Sequence, residues 1–131
     1  MNRTFKPIVT DDEIRTRLNE EFQLPVVYRR PENNRLEEGT NFFMYRPTRI
    51  LDIENQRYLY QELVIALVIL YPDEMLEFSV MRTLQDLGLY IAEISYEEET
   101  LTDAFNYAEI IYFVCRRKIV DSVPSRGVRE A

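Results

Sequence analysis

Cys115 is the single cysteine of the chain, and it sits in FVCRRK with Arg116 and Arg117 directly behind it. Adjacent positive charge lowers a thiol pKa and can make a nucleophile of it. A nucleophilic thiol also wants a base, and the sequence contains no histidine. With Phe113 and Val114 alongside, a buried structural thiol is the stronger reading. Carboxylates are the other source of chemistry, and they come in runs: Asp11-Asp12, Glu20-Glu21, Glu37-Glu38 and Glu97-Glu98-Glu99. A two-carboxylate hydrolase needs one acid raised in pKa by an apolar pocket. These runs fall instead at a helix start, in loops and in turns, where a solvated surface explains them. A calcium or magnesium site over Glu97–Asp103 lacks the Asp-x-Asp-x-Asp-Gly spacing that such loops use. Three glycines, Gly39, Gly88 and Gly127, leave no room for a Gly-rich phosphate loop.

Chemistry is therefore not expected: no catalytic, cofactor or metal residue is assigned, and the chain is read as a non-enzyme. The aromatic residues say more. Nine tyrosines and seven phenylalanines occur without a tryptophan, and Tyr58 and Tyr60, Tyr90 and Tyr96, Tyr107 and Tyr112 fall along β-rich runs. Tyrosine and arginine are enriched in protein–protein interfaces, although core and sheet packing accounts for many of these residues.

The net charge of −7 comes from 23 acidic against 16 basic residues. Nucleic-acid binders cluster their basic residues; here they are scattered in pairs such as Arg29-Arg30. Such a surface repels DNA rather than gripping it. With 46% hydrophobic and 30% charged residues, the 131 residues suit one globular domain. It divides into an N-terminal arm (1–9), a core (10–120) and a polar C-terminal tail (121–131). The start, MNRTFKPIVTDDE, lacks the apolar segment of a secretory signal, so a cytosolic setting is expected.

The elements that must carry these residues follow from periodicity. TDDEIRTRLNEEF starts a helix: Thr10 caps it, Glu13 completes a capping box, and Ile14, Leu18 and Phe22 form its stripe. Pro25 should stop it near Phe22. LPVVYRR is a short strand, and PENNRLEEGT is a long polar loop. NFFMYRPTRILDI is a strand bulged or at an edge because of Pro47, and ENQ turns it into RYLYQELVIALVILY as a hairpin. ELVIALVILY is too short to span a membrane, which takes about 20 residues. It is either a buried helix or a strand covered on both faces, and its β-branched content favours the strand. Asp73 should cap a second helix, DEMLEFSVMRTLQDLG, with Leu76, Val80, Leu84 and Leu87 as its stripe and Phe78 and Met81 widening it. Gly88 fits the position just past its end. LYIAEISYEEE and FNYAEIIYFVCRRKI close the fold as strands. The expected class is α+β: an antiparallel sheet with two helices on one face, in the order α-β-β-β-α-β-β.

In element order, length and acidity, the chain resembles the tail terminator and tail-to-head joining proteins of long-tailed bacteriophages. NFFMYRPTRILDIENQRYLYQELVIALVILYPDEMLEFSVMRTLQDLG and NYAEIIYFVCRR carry the resemblance, which covers about half of the chain. It implies a structural virion protein, made in the host cytoplasm, that forms a homohexameric ring at the tail–head junction. Such a ring would contact a tail tube protein and a head connector protein, and DNA would pass through it without specific binding. No membrane is involved. The family has no catalytic signature to carry over. The candidate interface comprises Arg29, Arg30, Glu32, Arg35, Glu37, Glu38, Tyr58 and Tyr60. The loop Pro31–Thr40 at its centre is either an ion-paired contact or a plain surface connection. The competing expectation is a small intracellular adaptor or inhibitor that binds a protein partner through an acidic, Tyr-rich sheet.

Overall fold

The computed structural model describes residues 5–28, 41–52, 59–71, 73, 75–100 and 107–121. Along the chain lie strand β1 (Phe5–Pro7), helix α1 (Asp11–Phe22), strands β2 (Val26–Tyr28), β3 (Phe42–Leu51) and β4 (Leu59–Ile69), helix α2 (Leu76–Asp86), and strands β5 (Tyr90–Thr100) and β6 (Tyr107–Asp121). The apolar run is thus a strand. Val64, Ile65, Val68 and Ile69 favour extended backbone, and β4 lies between β3 and β6, antiparallel to both. No helix among the described residues is long and apolar enough to cross a membrane.

Strand alternation sends the residues of β4 to two different environments. Leu63, Ile65, Leu67 and Ile69 join Ile14 and Leu18 of α1, Leu76, Val80 and Leu84 of α2, and Phe43, Tyr45, Ile111, Phe113 and Cys115 in the main core. Each fully buried Leu or Ile contributes about 1.5–3 kcal/mol, so this row anchors the sheet to both helices. Ala66 and Val68 point the other way and join Phe42, Ala108 and Ile110 in a second apolar cluster to which neither helix contributes.

The expected order α-β-β-β-α-β-β and the all-antiparallel sheet need correcting. The fold is mostly a curled, mixed sheet of six strands. Its order is β1-β6-β4-β3-β2, and β5 pairs with β6. Two physical reasons account for the difference. Phe5–Pro7 is too short to show a strand pattern; it becomes β1 only because β6 runs on beyond Arg116, the partner of β5's first residue Tyr90, and offers it Ile119–Asp121. β2 runs parallel to β3, because the intervening residues 29–41 are enough to carry the chain back to the same end of the sheet. Pro47 coincides with a register shift between Pro47 and Arg49 in β3. A proline in a ladder demands such an irregularity.

The helices are held by local chemistry. Thr10 Oγ1 accepts from the Glu13 N–H at 3.1 Å, and Glu13 Oε1 accepts from the Thr10 N–H at 2.8 Å, a reciprocal capping box. Helix α2 departs from expectation at its start. It begins at Leu76 with Met75 as the N-cap and no side-chain cap from it; the Asp73 carboxylate accepts a 3.3 Å bond from the Met75 N–H, and the Asp73 carbonyl accepts from the Leu76 N–H at 3.2 Å. Its end is as expected. Gly88 (φ 95°) donates to Gln85 O and Leu89 donates to Leu84 O, the paired bonds of a Schellman motif. Leu76, Val80 and Leu84 are buried, but Phe78 is exposed and Thr83 takes an inward position instead. Thr83 Oγ1 donates to Glu21 Oε2 at 3.0 Å, which ties α2 to α1.

Candidate functional site

The most concentrated polar chemistry lies where α1 begins. Arg117 of β6 is 4% exposed. It donates to Val9 O at 2.8 Å and to Gln61 Oε1 at 2.9 Å, and it pairs with Asp11 Oδ1 at 2.7 Å. The Tyr45 hydroxyl donates to the same carboxylate oxygen. Burial raises the Asp11 pKa, but hydrogen bonds from Tyr45 and Arg117 and the charges of Arg117 and Arg15 outweigh it and hold the carboxyl below its ordinary value. Burial and the Asp11 hydrogen bond push the Tyr45 phenol up. Asp11, Arg15, Val26, Tyr28 and Tyr45 line a cleft of about 380 Å³ at this node, with the Tyr28 and Tyr45 rings 5.4 Å apart. Its one carboxylate already accepts from an arginine and a phenol. The node therefore staples the start of α1 to β3, β4 and β6. Its members come from distant stretches of chain, so no sequence spacing announces it. Gln61, inside the apolar-looking β4, is the one available hint.

Cys115 is fully buried, and burial pushes its thiol up to about 12. Arg116 and Arg117 do not activate it, because strand alternation turns Arg116 to the opposite face and Asp11 neutralises Arg117. Among the described residues, no group of three or more Cys, Asp or Glu side chains could hold a metal ion.

Cross-strand register maps the sheet face away from the helices. One row reads Arg46, Val64, Val114, Glu93, and the next toward the β1 end reads Arg49, Glu62, Arg116, Tyr90. Met44, Ala66, Tyr112 and Ser95 form the row on the other side. The middle of this face is apolar and its margins are charged. Arg49 and Thr48 hydrogen-bond Glu62 and hold its carboxyl low. The Arg116 guanidinium lies 5.9 Å from the Tyr90 ring centroid, and its buried Nε has no hydrogen-bond partner. Burial and a hydrogen bond to Glu97 push Tyr112 up to about 12.

Of the candidate interface residues, Tyr60 lies on this face, half-buried, with Leu51 and Lys118 as its cross-strand neighbours. Arg29, Arg30, Glu32, Arg35, Glu37, Glu38 and Tyr58 lie outside the described residues, as does the loop Pro31–Thr40. No spacing or motif in the sequence singles out Arg46, Arg49, Glu62 or Glu93. Their opposition across β3, β4, β6 and β5 depends on register, which a single strand does not reveal. No protein-family model matches the chain, and no curated protein matches it either.

Proposed function

We propose that this chain is a non-enzymatic structural protein that assembles into a ring, probing the same role as the phage tail-completion proteins it resembles: closing a tail tube and joining it to a head connector. The observation that carries this reading is the pair of central strands, β4 and β6, with apolar residues on both faces. One face is covered by α1 and α2; the other has Met44, Val64, Tyr112 and Val114 half-buried between charged margins. An apolar middle with a polar rim is the anatomy of a protein interface, and a ring of identical subunits supplies the neighbour. The net charge of −7 suits a passage through which DNA slides without being held.

The test is to mix the purified chain with tail tubes and with connector protein and to read particle mass by native mass spectrometry. Closed rings, formed alone or on the tube end, are the expected result. A chain that stays monomeric and ignores both partners contradicts the reading; specific capture of a different, non-virion protein by the sheet would favour the adaptor.

A further inference from the structure

We infer that the contact between neighbouring copies is edge to edge: β5 of one copy docks on the Arg46–Leu51 stretch of β3 in the next. This rests on the assembly reading above and names its surface. β2 pairs only with Phe43–Tyr45, so Arg46–Leu51 has no strand on its outer side among the described residues. β5 pairs only with β6, so its outer edge is also open among the described residues. Open edges present unpaired N–H and C=O groups to any strand that approaches.

Charge decides which strand fits. β5 carries exposed Glu93, Glu97, Glu98 and Glu99, while the open stretch of β3 carries exposed Arg46 and Arg49. Two β5 edges repel each other and so do two β3 edges, whereas β5 against β3 is attractive. Among the described residues neither Arg46 nor Glu93 has an ion-pair partner of its own.

Strand direction and register agree with this pairing. β3, β4, β6 and β5 alternate in direction, so a copy added sideways in the same orientation meets β5 with an antiparallel β3. Arg46 and Glu93 share one row of the helix-free face, and Arg49 and Tyr90 share the next. Sideways addition without slip therefore sets Glu93 opposite the neighbour's Arg46 and Tyr90 opposite its Arg49. Tyr90 is 63% exposed and offers its ring to that guanidinium. With Glu93 opposite Arg46 the strand contact is short, Tyr90–Glu93 against Arg46–Arg49. Beyond it the neighbour's β2 covers Phe43–Tyr45 while β5 stays paired with β6 to Thr100, so the two copies must splay apart past Glu93, which a rotation between them supplies. Because the two edges differ, the contact is head to tail, and it closes into a ring when the rotation between neighbouring copies divides a full turn.

The experiment uses the full chain with Arg46→Glu and Glu93→Lys, read by sedimentation velocity and native mass spectrometry. Both residues are exposed, so circular dichroism and the thermal midpoint should match the wild type; if either variant fails that control, Arg46→Gln and Glu93→Gln replace them. Each reversal alone should weaken self-association about tenfold or more. An equimolar mixture of the two should restore it, since every contact then pairs opposite charges, and the double reversal in one chain should do the same. Variants that assemble like the wild type, or a mixture that fails to recover, overturn the edge contact while leaving the ring reading in place. Wild-type chain that remains monomeric both alone and with tail tubes overturns the ring reading itself.

Discussion

Arg117 carries a full charge in the core, and its partners differ in what they leave behind when removed. Asp11→Ala leaves the buried guanidinium with Gln61 and Val9 O, a loss of about 1–2 kcal/mol in urea unfolding, less than for a fully buried pair because the Asp11 side chain is half-exposed. Adding Arg117→Met to that variant removes the stranded charge and should recover part of the loss, a coupling that a double-mutant cycle measures directly. The pH dependence has a definite sign. Asp11, Glu21 and Glu62 all titrate below their ordinary values in the folded chain. The unfolded chain therefore binds more protons as pH falls, and stability present above the ordinary carboxylate range is lost through and below it. Thermal midpoints should fall as pH drops from about 5 toward about 3, and less steeply in Asp11→Asn. Cys115, buried and with its thiol pushed up to about 12, should resist alkylation at pH 8 in the folded protein and react once it is unfolded. Rapid modification of the native chain would contradict its assigned burial.

At the scale of elements, local chemistry was legible and context was not. The box of Thr10 and Glu13 is written in four consecutive residues, and Gly88 marks its own site because only glycine takes φ 95° without strain. Gly88→Ala should cost about 1 kcal/mol although a Cβ there meets nothing nearer than Val9 Cγ2 at 3.8 Å; an unchanged midpoint would show that the turn relaxes. The ambiguous run at β4 resolved toward the strand that its β-branched residues favour. Phe78 and Asp73 misled for opposite reasons. Phe78 looks like core by type, yet Thr83 takes an inward place because Glu21 awaits its hydroxyl. Asp73 looks like a cap by type, yet the helix starts two residues too late to use it.

For the whole molecule, the limits of sequence reading lie in pairing. Nothing within Phe5–Pro7 signals a strand, and nothing in VVY reveals a parallel partner; both depend on where β6 and β3 happen to run. The polar node and the charged rows of the helix-free face were illegible for the same reason, since residues such as Asp11 and Arg117 meet only through the fold. What the sequence did carry was the apolar character of both faces of β4 and β6, which is also the basis of the assembly proposal. That claim is tested most directly by the particle mass of the purified wild-type chain in native mass spectrometry, alone and with tail tubes, at low and at high salt. A closed ring of identical subunits is expected at low salt, weakening as salt screens the edge charges. The mass of a single chain under every one of these conditions would contradict it.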